Sequence, residues 1–278
     1  MTVRADGNCL NIIHTCHLMR EDKNFILYII MVFIMTKERD KCEICGNNLK
    51  HITSLRNIIA YECNFCGKQE MPITICPEGH YICDDCHSKD AIEVILKFCE
   101  TTTLEDPYKI AEEIMKHPNF KVYGPEHHAL VPAAMLTSLK NLKIKNPNGK
   151  EVNFGHVQEA IRRASKIPGG WCGFYGTCGA GSGAGIAMSV FTKATPSKDE
   201  ERTLSILTTS RSLEKIADNL EHCCKRSLRL AITESINMLN EKFKLNLEFT
   251  PKTCSFSSIN DRCEKEKCLY FDVKTLML

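Results

Sequence analysis

The stretch GGWCGFYGTCGAGSGAGIAMSV, residues 169–190, joins an aromatic loop with two cysteines to a run of small residues. We predict that the small residues form a helix over about 180–193. Gly181, Gly185 and Ser189 lie four residues apart, so one face of this helix is nearly bare. A glycine costs a helix about 1 kcal/mol relative to alanine, and close approach of another helix would offset that cost. The stretch therefore predicts a tightly packed helical domain.

The same stretch matches the dinucleotide fingerprint G-x-G-x-x-A at 179–184. A nucleotide site would need a hydrophobic strand before the glycines and a βαβ unit around them, and neither is indicated here. Cys172 and Cys178 instead flank the aromatic loop at the start of the predicted helix. Backbone N–H groups at a helix N-terminus lower the pKa of a thiol. The cysteines therefore indicate a reactive thiol or a cluster ligand.

Cysteine content is the most informative feature of the composition. The chain has 278 residues, 17 cysteines and a net charge of +2. Many cysteines form C-x-x-C pairs near histidine and no convincing secretory signal precedes them, which favours metal ligands in a cytoplasmic protein over disulfides. The near-neutral charge argues against strong nucleic-acid binding, so we expect a protein partner or a small-molecule substrate. Glutamine is almost absent, as is typical of thermophile proteins.

The chain divides into three predicted segments. Residues 1–34 form a tail whose apolar run, 24–34, is shorter than the roughly 20 residues of a membrane span, so we expect no span. Met35 directly precedes the metal-binding region and is the favoured start, ahead of a loosely docked tail or a membrane anchor. Residues 35–100 form a zinc-binding module, and residues 104–278 form a helical, cysteine-rich domain. The predicted fold class is mainly α, with a small zinc-finger-like N-terminal module followed by that domain.

Hydrophobic periodicity and capping signals predict one helix at the end of the zinc-binding module and further helices through most of the helical domain. The predicted helices cover 91–99, a segment from 107, 132–141, 154–166, 180–193, a short segment from 197 to about 207, 213–220 and a long segment carrying 228–243. This pattern places His127 and His128 in a loop before the second of the two prolines Pro125 and Pro132. No alternation of strands and helices appears, which excludes a doubly wound sheet.

Four ligand pairs at zinc spacing occupy the N-terminal module. The predicted zinc ligands are Cys42, Cys45, Cys63, Cys66, Cys76, His80, Cys83 and Cys86. Two pairs complete one tetrahedral shell, so the module should hold two zinc ions in closed, structural sites. The pairs can be shared sequentially, or in a cross-brace in which the first and third pairs bind one ion. The run C-x3-H-x2-C-x2-C resembles the middle of RING-type fingers, but its flanking pairs occur in another order, so no ubiquitin-ligase role is inferred.

The remaining cysteines suggest a second centre in the helical domain. We predict Cys172 and Cys178 as catalytic thiols, with His127 or His128 as proton carrier. The predicted cofactor ligands are Cys223, Cys224, Cys254, Cys263 and Cys268. Cys254, Cys263 and Cys268 together with Cys223 or Cys224 would give the four thiolates of an iron–sulfur cluster, and another metal is the alternative.

Three motifs carry a resemblance to a known family: GPEHHALVPAAML (124–136), IPGGWCGFYGTCGAGSGAGIAMSVFTKATP (167–196) and CCKRS (223–227). Here the chain resembles an uncharacterised cysteine-rich family of anaerobic archaea and bacteria, described as a domain of unknown function. In some bacterial members this domain accompanies a methyltransferase domain. The resemblance covers roughly residues 40–270 and implies a shared but unknown activity.

Two hypotheses about function follow. The first is an oxygen-sensitive metalloenzyme, or a cluster-bearing accessory protein, that carries out redox, sulfur or one-carbon transfer chemistry. The alternative is a non-catalytic zinc-braced scaffold that binds a protein partner or RNA.

Overall fold

The computed structural model describes residues 42, 44–51, 60–70, 74–83, 90–218, 220–251 and 253–272. These residues belong to one compact unit that begins at Cys42. They are mainly helical, and the metal-ligand pairs precede the helices, which confirms the predicted fold class. The predicted tail, 1–34, and the proposed start at Met35 lie outside the described residues. The boundary between residues 35–100 and 104–278 stays a prediction.

Eight α-helices occur in the described part of the chain. They are α1 (Ala91–Thr101), α2 (Pro107–Met115), α3 (Glu126–Asn141), α4 (Phe154–Ala164), α5 (Trp171–Phe174), α6 (Gly179–Thr192), α7 (Asp199–Ile216) and α8 (Cys224–Phe243). The C-terminal segment after α8 consists of turns and a 3-10 helix, Lys265–Lys267. α3 lies at the centre and packs against α1, α2, α4, α6 and α8.

Within the described residues, four short strands form two antiparallel pairs before the helices. They are β1 (Lys50–His51), β2 (Tyr61–Glu62), β3 (Gln69–Glu70) and β4 (Thr74–Ile75). β1 pairs with β4, and β2 pairs with β3. Each strand has two residues, so these pairs shape the metal-binding turns and build no sheet core.

The predicted starts of the first two helices, at residues 91 and 107, are confirmed, and an aspartate caps each helix. The Asp90 carboxylate accepts a hydrogen bond from the backbone N–H of Glu93 at 2.9 Å. The Asp106 carboxylate accepts hydrogen bonds from the backbone N–H groups of Tyr108 and Lys109. Pro107 is the first residue of this helix. An N-cap of this kind stabilises a helix by about 1 kcal/mol, which explains why local sequence located both starts.

The predicted start of α3 was wrong. The helix begins at Glu126, six residues before Pro132, so His127 and His128 lie on a helix and not in a loop. A proline inside a helix removes one backbone hydrogen bond and normally costs about 3 kcal/mol. Every residue from 127 to 139 is buried, however, and this packing outweighs the local penalty.

Two faces of α6 use its glycines for close contact. A Cβ atom at Gly185 would collide with the Thr209 side chain and would lie 2.7 Å from the carbonyl oxygen of Ser205, both on α7. A Cβ atom at Gly183 would lie 2.6 Å from the carbonyl oxygen of His128, on α3. The predicted bare face therefore exists, and a second bare face lies beside it.

α7 is one helix where two were predicted. Ser197 does not cap it, because its hydroxyl bonds to Thr195 and Lys198 occupies the N-cap position. Thr208 and Ser212 are buried within this helix, and each hydroxyl donates to the carbonyl four residues earlier. These bonds satisfy both hydroxyls inside a continuous helix.

The metal-binding turns share the hydrophobic core of the helices. Phe65, from the second cysteine pair, is buried in the same cluster as Val94 and Phe98 of α1. Its ring makes an edge contact with the His117 ring, with centroids 4.4 Å apart. Loss of the metal-binding turns would therefore expose apolar surface on the helical part.

Candidate metal centres

The first cluster of metal ligands comprises Cys42, Cys45, Cys76 and His80. Their ligand atoms all lie within 4.8 Å of one another. The Sγ atoms of Cys45 and Cys76 are 3.5 Å apart, and His80 Nδ1 lies 3.8 Å from Cys42 Sγ and 3.7 Å from Cys76 Sγ. Zinc–sulfur bonds of about 2.3 Å place two ligands of one tetrahedral ion about 3.8 Å apart. The four side chains could therefore hold one metal ion.

The second cluster comprises Cys63, Cys66 and Cys83, whose sulfurs again lie within 4.8 Å of one another. The Sγ atoms of Cys66 and Cys83 are 3.6 Å apart. Cys86, the fourth predicted ligand, lies outside the described residues. Three convergent thiols could hold a second ion, with one tetrahedral position left for Cys86.

Both clusters follow the cross-brace topology, which the sequence had left open. The first and third pairs share one cluster, because β1 pairs with β4 and β4 leads directly into Cys76. Tyr81 joins the second pair to the fourth: its N–H donates to Asn64 Oδ1 at 2.7 Å, and its carbonyl accepts from the Asn64 N–H at 2.9 Å. Hydrogen bonds between distant segments therefore select the pairing.

The turns aim backbone N–H groups at the sulfurs. In both C-x-x-C pairs the next residue is a glycine with positive φ, +76° at Gly46 and +70° at Gly67, a conformation that favours glycine. Burial alone would raise the pKa of Cys63. The backbone N–H groups of Cys83 and Phe65 outweigh it and lower that pKa, which favours the thiolate that a metal requires.

A second group of cysteines surrounds a pocket between the start of α8 and the C-terminal segment; we call it the basic cysteine pocket. Its cysteines are Cys223, Cys254, Cys263 and Cys268, and its cationic residues are Lys225, Arg226, Arg229 and Arg262. Among the described residues, no three of these thiols fall within 4.8 Å of one another. The pocket thus collects four of the five predicted cofactor ligands without focusing them on one point.

Buried positive charge distinguishes this pocket. Arg226 pairs with Asp218 at 2.8 Å, and Arg229 pairs with Glu112. Lys225 is only 1% exposed and forms no ion pair within the described part of the chain; its Nζ lies 4.2 Å from the Phe256 ring centroid. Burial, followed by the charge of Arg229, lowers the pKa of Lys225 to about 8. The surroundings therefore favour a negatively charged occupant.

The fifth predicted cofactor ligand, Cys224, faces a different group. Its Sγ lies 3.7 Å from His222 Nε2, and the same nitrogen lies 3.7 Å from Cys172 Sγ. We call these three residues the thiol–imidazole site. The His222 ring stacks on Tyr123 with centroids 5.6 Å apart, which holds the imidazole in place. Burial raises the pKa of the Cys224 thiol to about 11, whereas Cys172 is exposed.

The other predicted catalytic residues, Cys178, His127 and His128, are not part of the thiol–imidazole site. Cys178 is the N-cap of α6, and its charge contributes to the raised pKa of Cys224. The His128 ring packs on Gly179, the next residue, while His128 Nδ1 lies 3.2 Å from the carbonyl oxygen of Ile167. His127 is fully buried, with Nδ1 3.0 Å from the carbonyl oxygen of Gly124.

The sequence did not predict that His222 contacts Cys172. The only local signal was its position directly before the cysteines Cys223 and Cys224. Contact with Cys172 joins residues 50 positions apart, and no periodicity in the sequence reports it.

Comparison with known proteins places the chain in a family without naming an activity. A family model described as "Family of unknown function (DUF5714)" matches residues 95–271. No curated protein and no solved structure matches the chain. Within the described residues, no helix combines the length and apolarity needed to cross a membrane. The taxonomic range and the methyltransferase association implied by the resemblance stay predictions.

Proposed function

This chain belongs to the DUF5714 family, whose function is unknown, and we propose that it is an iron–sulfur protein braced by two structural zinc ions. The zinc ions would occupy the two cross-brace clusters. An iron–sulfur cluster would occupy the basic cysteine pocket, bound by Cys223, Cys254, Cys263 and Cys268. The chemistry we propose is redox, sulfur or one-carbon transfer, with Cys172 and Cys178 on the substrate side.

The observation that carries this proposal is the meeting of four thiols in one pocket from two separate parts of the chain. Cys223 comes from the start of α8, and the other three come from the C-terminal segment. Free cysteine is often a buried, inert residue, as Cys99 is, where burial raises the thiol pKa to about 12. Four such residues around one pocket need a common cause, and cluster ligation by four cysteines supplies it.

The spacing of these thiols favours a polynuclear cluster over a single ion. A lone zinc ion draws its ligand atoms to one point, as in the cross-brace clusters. The ligands of an iron–sulfur cluster bind different irons and need not converge. Within the described residues, the pocket thiols converge less than the ligands of the cross-brace clusters do. This wider spacing is consistent with an iron–sulfur cluster.

Charge supports the same occupant. Four thiolates around an iron–sulfur core carry net negative charge, and the pocket holds the buried, unpaired cation Lys225 among its described neighbours. The Lys225 ammonium donates a hydrogen bond to the Lys121 carbonyl oxygen at 3.4 Å, and burying a cation that has no ion-pair partner within the described residues still costs free energy. An anionic cluster would offset that cost. Asn260 would add a hydrogen bond, since its Nδ2 lies 3.7 Å from Cys223 Sγ and donates toward it.

The closed zinc clusters have a structural role in this proposal. Eight ligands for two ions leave no coordination position for a substrate, and such sites stabilise folding. Chemistry is therefore assigned to the helical domain. A protein partner or a small-molecule substrate is proposed for it, in the cytoplasm, with nucleic acid disfavoured by the near-neutral charge.

Purification without oxygen tests the proposal. Iron, sulfide and zinc per chain would be measured together with the visible spectrum, and a broad absorption band with iron and sulfide is expected. Cys263→Ser should remove most of the iron and keep the zinc. Cys99→Ser, which removes a thiol outside the pocket, should keep both. A colourless parent protein that holds zinc but no iron would contradict the proposal and favour the alternative, a zinc-braced scaffold for a protein partner or RNA.

A further inference from the structure

We propose that Cys172, His222 and Cys224 form a third zinc site, which holds one ion through three protein ligands and leaves one coordination position open. His222 Nε2 lies 3.7 Å from the Sγ atoms of both cysteines. In the first cross-brace cluster, the corresponding separations from His80 Nδ1 are 3.7 and 3.8 Å. The thiol–imidazole site thus repeats the nitrogen–sulfur spacing of a complete metal cluster.

The elements around the site hold two of its ligands in place. Cys224 is the first residue of α8 and is half-buried, and His222 stacks on Tyr123. The Tyr123 hydroxyl is itself fixed, since it donates to Asn260 Oδ1 at 2.5 Å. A ligand that is anchored before the metal binds loses little entropy on binding.

The third ligand, Cys172, is the exposed one. The three ligand atoms do not all lie within 4.8 Å of one another, so the two sulfurs are farther apart than at the cross-brace clusters. Cys172 is exposed and belongs to the four-residue helix α5. Rotation of its side chain toward His222 is the movement that binding requires, and the half-buried Cys224 can stay in place.

The composition of the site predicts what it would bind. Two cysteines and one histidine with an open fourth position form one of the ligand sets of catalytic zinc sites. Thiolate ligands select soft or borderline metals, and the open position would accept the sulfur of an exogenous thiol. Exposure of Cys172 places this position at the protein surface, where a small thiol can reach it.

This inference goes beyond the proposed function and does not depend on an iron–sulfur cluster. It predicts one more zinc ion than the cross-brace clusters provide. The test treats the purified, metal-loaded protein with Co²⁺ in the absence of oxygen. An open site should exchange its ion first, and one equivalent of Co²⁺ should give thiolate-to-cobalt charge-transfer absorption.

Variants in the exposed loop decide the outcome. Cys172→Ser should lose this absorption and one equivalent of zinc, and His222→Gln should do the same. Tyr175→Phe, a change of one exposed hydroxyl in the same loop, should keep both. A parent protein without the cobalt band, or a Cys172→Ser protein that keeps the band, would overturn the inference. Loss of iron in place of zinc in Cys172→Ser would overturn it as well, since the thiol would then serve the cluster.

Discussion

The contact between α6 and α7 can be tested by a single added methyl group at Gly185. A Cβ atom there would collide with the Thr209 side chain and lie 2.7 Å from the Ser205 carbonyl oxygen. The threonine side chain can rotate, but the carbonyl oxygen belongs to the backbone of α7. Gly185→Ala therefore forces the two helices apart.

Two opposing terms set the size of the effect. Overpacking a well-packed contact costs about 1–3 kcal/mol, and the rigid backbone oxygen places this site in the upper part of that range. Alanine recovers about 1 kcal/mol because it favours the helix more than glycine does. The expected net loss is about 1–2 kcal/mol of unfolding free energy. In a domain of this size that loss lowers the midpoint of thermal unfolding by about 2–8 °C.

Calorimetry of the metal-loaded protein measures the midpoint. Gly173→Ala is the matched control, because a Cβ atom at Gly173 meets no atom within 4 Å. The control should stay within about 0.5 kcal/mol of the parent protein. If Gly185→Ala melted at or above the parent midpoint, the close packing of α6 on α7 would be refuted.

Two further predictions concern the metal module and pH. Cys45→Ser and Cys83→Ser should each lose one metal ion, as measured by metal analysis. Cys83→Ser should lower the melting midpoint more in calorimetry, because Cys83 is buried with Phe65 in the shared core while Cys45 is exposed. Equal midpoints for the two variants would contradict this reasoning. Burial lowers the pKa of His127 from 6.5 to about 3. The unfolded chain then binds more protons than the folded one between these values, so stability should fall as pH drops from about 6.5 toward 3. His127→Gln should flatten this slope in denaturant titrations at pH 7 and pH 5, and an unchanged slope would exclude His127 as its source.

Features that depend on residues close together in the chain could be predicted from the sequence. The spacing of cysteines and histidine predicted eight metal ligands, and the structure gathers seven of them into two clusters; the eighth, Cys86, lies outside the described residues. Asp90 and Asp106 marked the starts of two helices, because a capping carboxylate reaches only the first turn. The four-residue spacing of Gly181, Gly185 and Ser189 likewise predicted the bare face of α6, because residues four apart lie on the same side of a helix.

Contacts between segments that are distant in sequence could be seen only in the folded structure. Spacing suited both metal topologies, and the cross-brace was selected by hydrogen bonds such as those between Asn64 and Tyr81, whose partners are 17 positions apart. Burial against α6 extended α3 through Pro132 in spite of local propensity. Cys223 and Cys224 are neighbours in sequence, yet the helical turn sends one thiol into the basic cysteine pocket and the other toward His222. The free energy that selects these arrangements comes from contacts between distant segments. A short stretch of sequence therefore does not predict them.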